Sequence, residues 1–339
     1  MTRPVIDKDR GNQEAAFAEI AEPYRRELHL HCYRMLGSIT DAEDLLQETM
    51  TAAWLGLSGF TGRSSLRTWL YRIATNRCLN AIRDAKRRPP PAPVPPFHPP
   101  EPSRWGEVTW LQPYPDSWLA EGADCSAGPA ERAQARETVE LAFVAALQQL
   151  PPRQTAAVVL CDVLDFPIVE VAAMLAATPA SVKGLLQRAR DSLALRQPAA
   201  RAAAGAGSRQ EGDLARRFAD ALMSDDIDGV VSMLTDDAWL TMPPAPHKYH
   251  GAEAIAGFLR TSAAWRGRRQ LALLATRANT QPAFGYYLTR PDGVVGHPTG
   301  LLVLTLTDDR ISTITRFLDP LLPASFGLPA LLPMRACSG

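Results

Sequence analysis

The feature that most restricts the fold of this chain is a run of prolines between residues 89 and 102. Nine of these fourteen residues are proline, which has no backbone N–H and cannot continue a helix. A run of this kind favours the extended polyproline II conformation. It therefore ends the helical pattern of residues 13–88, and we predict that residues 89–130 form a linker.

The chain has 339 residues, enough for two or three domains. Apolar residues recur at helical spacing again across residues 131–196, and an Ala/Gly/Arg-rich stretch at 197–210 reads as a flexible linker. Residues 211–322 begin with helical patterns and continue with β-like runs, the last two joined at Asp308-Asp309. We expect two all-α domains, then an α+β domain with an antiparallel sheet, and a tail at 323–339.

Charge is segregated along the chain although its net value is zero. Residues 37–62 contain four acids and no lysine or arginine, whereas residues 63–88 contain eight basic residues and one acid, Asp84. A local basic patch matters more for nucleic-acid binding than the total charge. Two neighbouring surfaces of opposite sign predict two partners, a basic protein surface and a nucleic acid.

The acidic segment reads as a helix that begins at Thr40, because Thr40 and Glu43 form a capping-box pattern. Asp41, Asp44 and Glu48 share one face of that helix, apart from its apolar stripe. Acids in a first turn also favour the helix dipole, which is the simpler interpretation of this pattern. Glu48 lies two turns in, where the dipole no longer accounts for it, so we favour a protein-binding face.

The basic segment reads as a second helix with aromatic residues among its arginines. Several arginines would neutralise phosphates and give salt-dependent affinity. We expect Trp69 to lie in the core. Phe60 lies in a Gly/Ser-rich loop at residues 58–65, where an aromatic ring would stack on an unpaired base, an interaction of about 1–3 kcal/mol.

Residues 41–48 (DAEDLLQE) and 63–76 (RSSLRTWLYRIATN) resemble region 2 of bacterial sigma factors of the extracytoplasmic-function group. The resemblance implies that the acidic helix docks on the clamp helices of the RNA polymerase β′ subunit. It also implies that the loop and the arginine helix recognise and open the −10 promoter element. The implied polymerase-binding residues are Asp41, Asp44, Gln47 and Glu48, and the implied −10 residues are Phe60, Arg63, Ser64, Ser65, Arg67, Arg72, Asn76 and Arg77.

Residues 150–196 predict a helix-turn-helix, although periodicity alone also fits a generic three-helix bundle. The first helix opens with prolines and the second spans 167–175. Thr178 is a suitable N-cap and Pro179 a suitable first residue for the third helix. LPPRQ, EVAAML and SVKGLLQRAR resemble sigma region 4, which implies that the third helix reads the −35 element. The implied base readers are Ser181, Lys183 and Gln187, and the implied phosphate contacts are Arg188 and Arg190.

Residues 249–255 and 311–317 resemble the SnoaL-like, polyketide-cyclase-like fold. The resemblance implies a cone-shaped α+β domain with a pocket, and regulation of the sigma factor in cis. The pocket either binds a small ligand or is simply core, in which case the domain is structural. A catalyst would need a buried acid–base pair, which the sequence does not show. The candidate pocket residues are Trp239, Met242, His250, Tyr287, Phe317 and Asp319, together with Phe258.

The remaining features point to the cytoplasm. The five cysteines are scattered without paired spacing, which fits a reducing compartment and argues against a metal site. The N-terminus has no apolar run typical of a signal peptide, and no stretch of 18 apolar residues predicts a membrane span. We expect no catalytic residues, cofactor, metal or membrane association.

The sequence therefore predicts a sigma factor whose partners are core RNA polymerase, through its β and β′ subunits, and promoter DNA. The first alternative is a one-component helix-turn-helix regulator that senses a small ligand in the C-terminal domain. The second is an enzyme of the cyclase type. Reversing the charges of Asp41, Asp44 and Glu48 separates the sigma-factor prediction from the first alternative. The reversal should abolish binding to core polymerase in a sigma factor, whereas it should leave the DNA affinity of a one-component regulator unchanged.

Overall fold

The computed structural model describes residues 8–85, 95–106, 111–120, 138–194, 207–291 and 293–334. Much of the two predicted linkers and the end of the tail therefore lie outside the described residues, as does the basic cluster at residues 86–88. The chain forms two compact units. One unit joins residues 1–89 and 146–196, and the other joins residues 90–145 and 197–339.

The first unit begins with three helices, α1 (Lys8–Leu36), α2 (Ile39–Gly56) and α3 (Leu66–Ala85). The prediction that α2 begins at Thr40 is wrong. Ser38 is the N-cap, because its hydroxyl accepts a hydrogen bond from the Asp41 backbone N–H at 3.1 Å. Gly37 precedes it at φ 72°, a left-handed conformation that glycine adopts without a Cβ penalty.

The rest of the first unit contains the predicted helix-turn-helix. Two helices come before it, α4 (Asp116–Ala120), which belongs to the second unit, and α5 (Leu141–Leu147), which begins in the second unit and ends in the first. They are followed by α6 (Pro152–Val158), α7 (Ile168–Met174) and α8 (Pro179–Ala194). The Thr178 hydroxyl accepts from the Ser181 backbone N–H at 3.2 Å, which confirms the predicted cap. Among the described residues no single helix is long and apolar enough to cross a membrane, and α7 and α8 meet that criterion only as a pair bent by 99°.

The second unit is α+β, as the sequence predicts. Three helices lie before and between its long strands, and a short helix near the end leads to one final short strand. The bounds are β1 (Arg104–Trp105), α9 (Arg209–Met223), α10 (Ile227–Ser232), β2 (Leu234–Met242), β3 (Ala245–His250), α11 (Ala252–Arg266), β4 (Leu271–Ala278), β5 (Gln281–Thr289), β6 (Val295–Thr307), β7 (Arg310–Phe317), α12 (Leu322–Ser325) and β8 (Leu332–Pro333).

The described strands form one sheet in the order β1-β3-β2-β7-β6-β5-β4, with β8 paired to β6. The β6–β7 hairpin around Asp308 is confirmed. A purely antiparallel sheet is wrong, because β2 and β7 pair in parallel. The strands β1, β3 and β8 have no counterpart in the sequence-based assignment, since β3 is rich in His, Lys and Pro and the other two are short.

The two faces of this sheet bury different residues. One face packs against α9, α10 and α11, with Phe218, Ile255 and Phe258 at the centre of the core. The residues after α12 cover the other face. There Tyr287 donates its hydroxyl to the Pro329 carbonyl at 2.7 Å. Because successive residues of a strand point to opposite faces, neighbours such as Tyr286 and Tyr287 lie in different environments.

Candidate functional site

The predicted polymerase-binding residues form an exposed face of α2. Asp41, Asp44, Gln47 and Glu48 are all exposed, and the side chain of Gln47 donates to that of Glu43 at 3.3 Å. The opposite face of α2 is buried. Its buried residues are Ile39, Ala42, Leu45, Leu46, Thr49, Met50 and Ala53.

The acidic face of α2 meets the basic face of α3 at one ion pair. Glu48 accepts a hydrogen bond from Arg77 at 2.6 Å between carboxylate and guanidinium. Both side chains are substantially exposed, and pairs of this kind contribute only about 0–1 kcal/mol. The pair therefore holds the two faces together weakly, and either partner is available to a stronger ligand.

The loop before α3 and its outer surface present most of the predicted −10 residues. Ser65 is the cap of α3, because its hydroxyl accepts from the Thr68 backbone N–H at 3.0 Å. Phe60 is half-buried and packs its ring on Trp69 at 5.0 Å between centroids. Trp69 lies in the core, as predicted. The exposed members of the set are Arg63, Ser64, Ser65, Arg72 and Asn76.

Arg67 faces residues of the helix-turn-helix instead of solvent alone. Its guanidinium lies 5.0 Å from the Tyr71 ring centroid and 4.7 Å from that of Phe166, and it pairs with Glu27 at 3.1 Å. Such cation–π contacts add about 0.5–2 kcal/mol. Burial raises the pKa of Tyr71, so its hydroxyl stays protonated.

A second contact continues this interface one residue along α3. The Thr68 hydroxyl donates to the Glu170 carboxylate at 2.9 Å, and the Tyr71 and Phe166 rings meet edge-on at 5.1 Å. We name Arg67, Thr68, Phe166 and Glu170 the α3 latch. Sequence patterns do not identify Phe166 and Glu170 as members of this interface, because no local pattern shows which distant helix they pack against.

The predicted −35 residues all lie on the exposed surface of α8. Ser181, Lys183, Gln187, Arg188 and Arg190 are exposed, while Val182, Leu186 and Ala189 of the same helix are buried. Gln187 donates to Asp191 at 2.9 Å. Arg190 makes two hydrogen bonds to Asp162, at 2.9 and 2.6 Å, which orient its guanidinium beside the turn.

A cavity in the C-terminal domain lies between the helices and the inner face of the sheet. Phe258 is the one residue of the sequence-based pocket that lines it. The other lining residues are Phe218, Leu222, Asp225, Ile227, Leu240, Leu259, Ser262, Ala263, Arg266, Tyr286, Leu302, Ile314 and Arg316.

The six other candidate pocket residues lie elsewhere in the domain, which corrects that part of the sequence analysis. Trp239 stacks on His250 at 4.4 Å between ring centroids. Tyr287 and Phe317 are each one position from a lining residue and so point to the opposite face of the sheet. Met242 belongs to the core beyond Leu240. The Asp319 carboxylate accepts from the Leu321 backbone N–H at 2.9 Å after the last long strand.

The lining of this cavity does not contain an acid–base pair. Asp225 is its one carboxylate, and it forms a salt bridge with Arg266. General acid–base catalysis requires a group held ready to exchange a proton with the substrate. The Asp225 carboxylate is instead engaged by the Arg266 guanidinium.

Part of the predicted linker is built into the C-terminal domain. Strand β1 pairs with β3, and the Tyr249 hydroxyl donates to the Pro100 carbonyl at 2.8 Å. Burial raises the pKa of Tyr249 to about 12, so this donor is retained. Phe97 packs its ring on Phe258 and Trp265, each at 5.6 Å between centroids.

Asn279 holds the linker at a second place, from a fully buried position. Its side-chain oxygen accepts from the Tyr114 backbone N–H at 2.7 Å, and its side-chain nitrogen donates to the Val139 carbonyl at 2.7 Å. One amide therefore joins Tyr114 of the linker to Val139, which lies after it in the chain. Arg277 adds an ion pair to Asp116 at 3.1 Å and another to the buried Glu211.

Comparisons with known proteins agree with both helical regions. Residues 20–88 match the family Sigma-70 region 2, and residues 140–193 match Sigma-70, region 4. The chain is 43% identical over 331 residues to the ECF RNA polymerase sigma factor SigG of Mycobacterium tuberculosis, covering 96% of this chain and 86% of that one. This chain belongs to the extracytoplasmic-function (ECF) sigma factors.

Other ECF sigma factors share smaller parts or only the fold. SigW of Bacillus subtilis is 42% identical over 77 residues, which are 23% of this chain and 41% of SigW. The crystal structure of M. tuberculosis SigJ matches with a TM-score of 0.57 at 22% identity, covering 92% of this chain and 99% of SigJ. The shared fold therefore extends beyond the two sigma regions into the C-terminal domain.

Proposed function

We propose that this ECF sigma factor binds core RNA polymerase through the exposed acidic face of α2, formed by Asp41, Asp44, Gln47 and Glu48. The proposal depends on the exposure of this face to solvent in a chain of the sigma family. The face also adjoins α3, which bears the arginines. Four polar side chains on one helical face suit a basic partner surface. A protein that acts on core polymerase works in the cytoplasm.

The −10 element is bound by the exposed residues around the start of α3. Arg63 and Arg72 contact phosphates, while Ser64, Ser65 and Asn76 lie where an unstacked base would meet hydrogen-bonding groups. Phe60 exchanges its contact with Trp69 for a stacked base. Arg67 and Arg77 contribute once they leave Glu27 and Glu48.

The −35 element is read by α8 in the major groove. Ser181, Lys183 and Gln187 are base readers near its N-terminal half, and Arg188 and Arg190 bind phosphate. The Asp162 carboxylate presents Arg190 in a fixed orientation. Replacing a base reader should relax sequence preference, whereas replacing a phosphate contact should weaken binding to all sequences alike.

The C-terminal domain regulates these activities in cis by holding the linker. The two DNA-binding regions flank residues 89–130, so their separation depends on how much of that segment is free to extend. Phe97, strand β1 and Tyr114 are tied to the C-terminal domain. While these contacts persist, the reach of region 4 relative to region 2 is shortened.

In vitro transcription with core polymerase tests the main proposal. We expect Asp41→Lys with Asp44→Lys to abolish core binding and initiation while duplex binding is kept. Asp213→Lys with Asp220→Lys, two acids of the C-terminal helix α9, is the matched control and should initiate normally. A double variant that still binds core polymerase as tightly as the unaltered protein would overturn the assignment of the acidic face.

A further inference from the structure

We propose that the cavity of the C-terminal domain binds a small carboxylate anion, formate or acetate in size, and that Arg316 holds the carboxylate. Arg316 is 93% buried, since only 7% of its surface is exposed, and it lies on β7 facing the cavity. Phe218, Leu240 and Ile314 form much of the remaining wall. The site uses residues of the C-terminal domain alone.

The charge of the cavity lining calls for an anion. Arg316 donates to the Ser262 hydroxyl at 3.4 Å and stacks on the Tyr286 ring, 4.4 Å from its centroid. No carboxylate among the described residues forms a salt bridge with it. The second arginine of the lining, Arg266, pairs with Asp225. The lining therefore carries one uncompensated positive charge, and a buried charge is stable only when it is paired.

The geometry around Arg316 suits a carboxylate. A guanidinium has five N–H donors in a planar fork, and only one hydrogen bond from Arg316 to the described residues is present. The fork thus retains donors for a bidentate carboxylate, which forms shorter and stronger hydrogen bonds than a neutral acceptor. The Ser262 hydroxyl beside it is a further donor for the same anion.

The apolar wall and the size of the cavity define the rest of the ligand. The cavity has a volume of about 20 Å³, comparable to the space that one or two water molecules require. This volume admits only the smallest carboxylates, formate or acetate. The side chains of Leu240 and Ile314 in the lining offer no hydrogen-bonding partner, so they favour a methyl group over a second polar group.

The position of Phe258 connects the cavity to the linker, a step that rests on the proposed regulation in cis. Phe258 lines the cavity and also contacts Phe97 of the linker at 5.6 Å between ring centroids. Ser262 lies one helical turn further along α11. An anion that bridges Arg316 and Ser262 would steady this face of α11, and thereby the surface on which Phe97 rests.

Calorimetric titration of the full chain with sodium formate and sodium acetate at constant ionic strength tests the site. We expect saturable binding of at least one of the two anions, together with a rise in the unfolding temperature. Sodium chloride and acetamide are the controls, and neither should produce the effect. Equal responses to chloride or to the amide would overturn the proposal, as would no saturable binding of either acid.

Two variants test whether Arg316 holds the anion. Arg316→Met should weaken binding by about 10- to 100-fold, the loss expected for hydrogen bonds to a charged group. The control is Arg310→Met, on the same strand but exposed and paired with Asp236, which should bind normally. Ser262→Ala should weaken binding several-fold, and it decides the matter if Arg316→Met does not fold. Unchanged affinity in Ser262→Ala and in any folded Arg316→Met would overturn the assignment.

Hydrogen exchange separates the site from its regulatory effect. With saturating formate or acetate we expect slower exchange in residues 95–106. Binding without any change there would leave the anion site standing and overturn the connection through Phe258. Failure of the sigma-factor assignments would show in polymerase binding by the α2 variants, which this titration does not involve.

Discussion

Replacing Asn279 with alanine should release the linker from the C-terminal domain. The side chain makes hydrogen bonds of 2.7 Å to both Tyr114 and Val139, and all three residues are buried. Without the amide, one buried N–H and one buried carbonyl lose a partner, at about 1–3 kcal/mol each. Asn279 also has φ 52°, a conformation that costs alanine about 1–2 kcal/mol. The expected total is about 3–8 kcal/mol.

The assay combines denaturant unfolding of the full chain with hydrogen exchange of residues 111–120. Asn279→Ala should lower the free energy of unfolding of the second unit and speed exchange in that segment. Asn279→Asp keeps the acceptor for Tyr114, but it places a buried carboxylate oxygen against the Val139 carbonyl, so it should destabilise the unit at least as much. A loss below about 1 kcal/mol with unchanged exchange would refute the account of Asn279 as the residue that holds the linker.

Three further predictions concern the first unit. Phe166→Ala removes the ring that packs on Arg67 and Tyr71. It should lower the free energy of unfolding of the unit by about 3–5 kcal/mol and raise the affinity for single-stranded −10 DNA. An unchanged DNA affinity would count against the α3 latch as a restraint. Burial lowers the pKa of His31 to about 3. Below about pH 6.5 the imidazole of His31 is therefore protonated in the unfolded chain but not in the folded one. The free energy of unfolding should fall by about 2 kcal/mol between pH 7 and pH 5. In His31→Gln, unfolding measured across the same pH range should lack this decrease. Arg188→Ala should reduce the slope of log affinity against log salt by about one for −35 duplex DNA, and a slope equal to that of the unaltered protein would exclude a phosphate contact.

The sequence by itself determined features that depend on residues close together in the chain. Helical spacing and caps place the starts of α2 and α8 and both ends of α7 within one residue of those observed. Exposure of Asp41, Asp44 and Glu48 follows from the same spacing, because residues three and four apart share a helix face. The β6–β7 hairpin is likewise local, since its turn and both strands are contiguous.

Only the tertiary structure decided which distant groups meet. The contact of Arg67 with Phe166 joins residues 99 positions apart, and no spacing rule relates them. The parallel pairing of β2 with β7 and the cavity lining depend on strand register, in which a shift of one residue turns a side chain to the other face. For this reason the sequence predicts Tyr287 and Phe317 as pocket residues, whereas their neighbours Tyr286 and Arg316 line the cavity. Local interactions act within a few residues and are readable from spacing, whereas register and interdigitation are set by the packing of the whole domain.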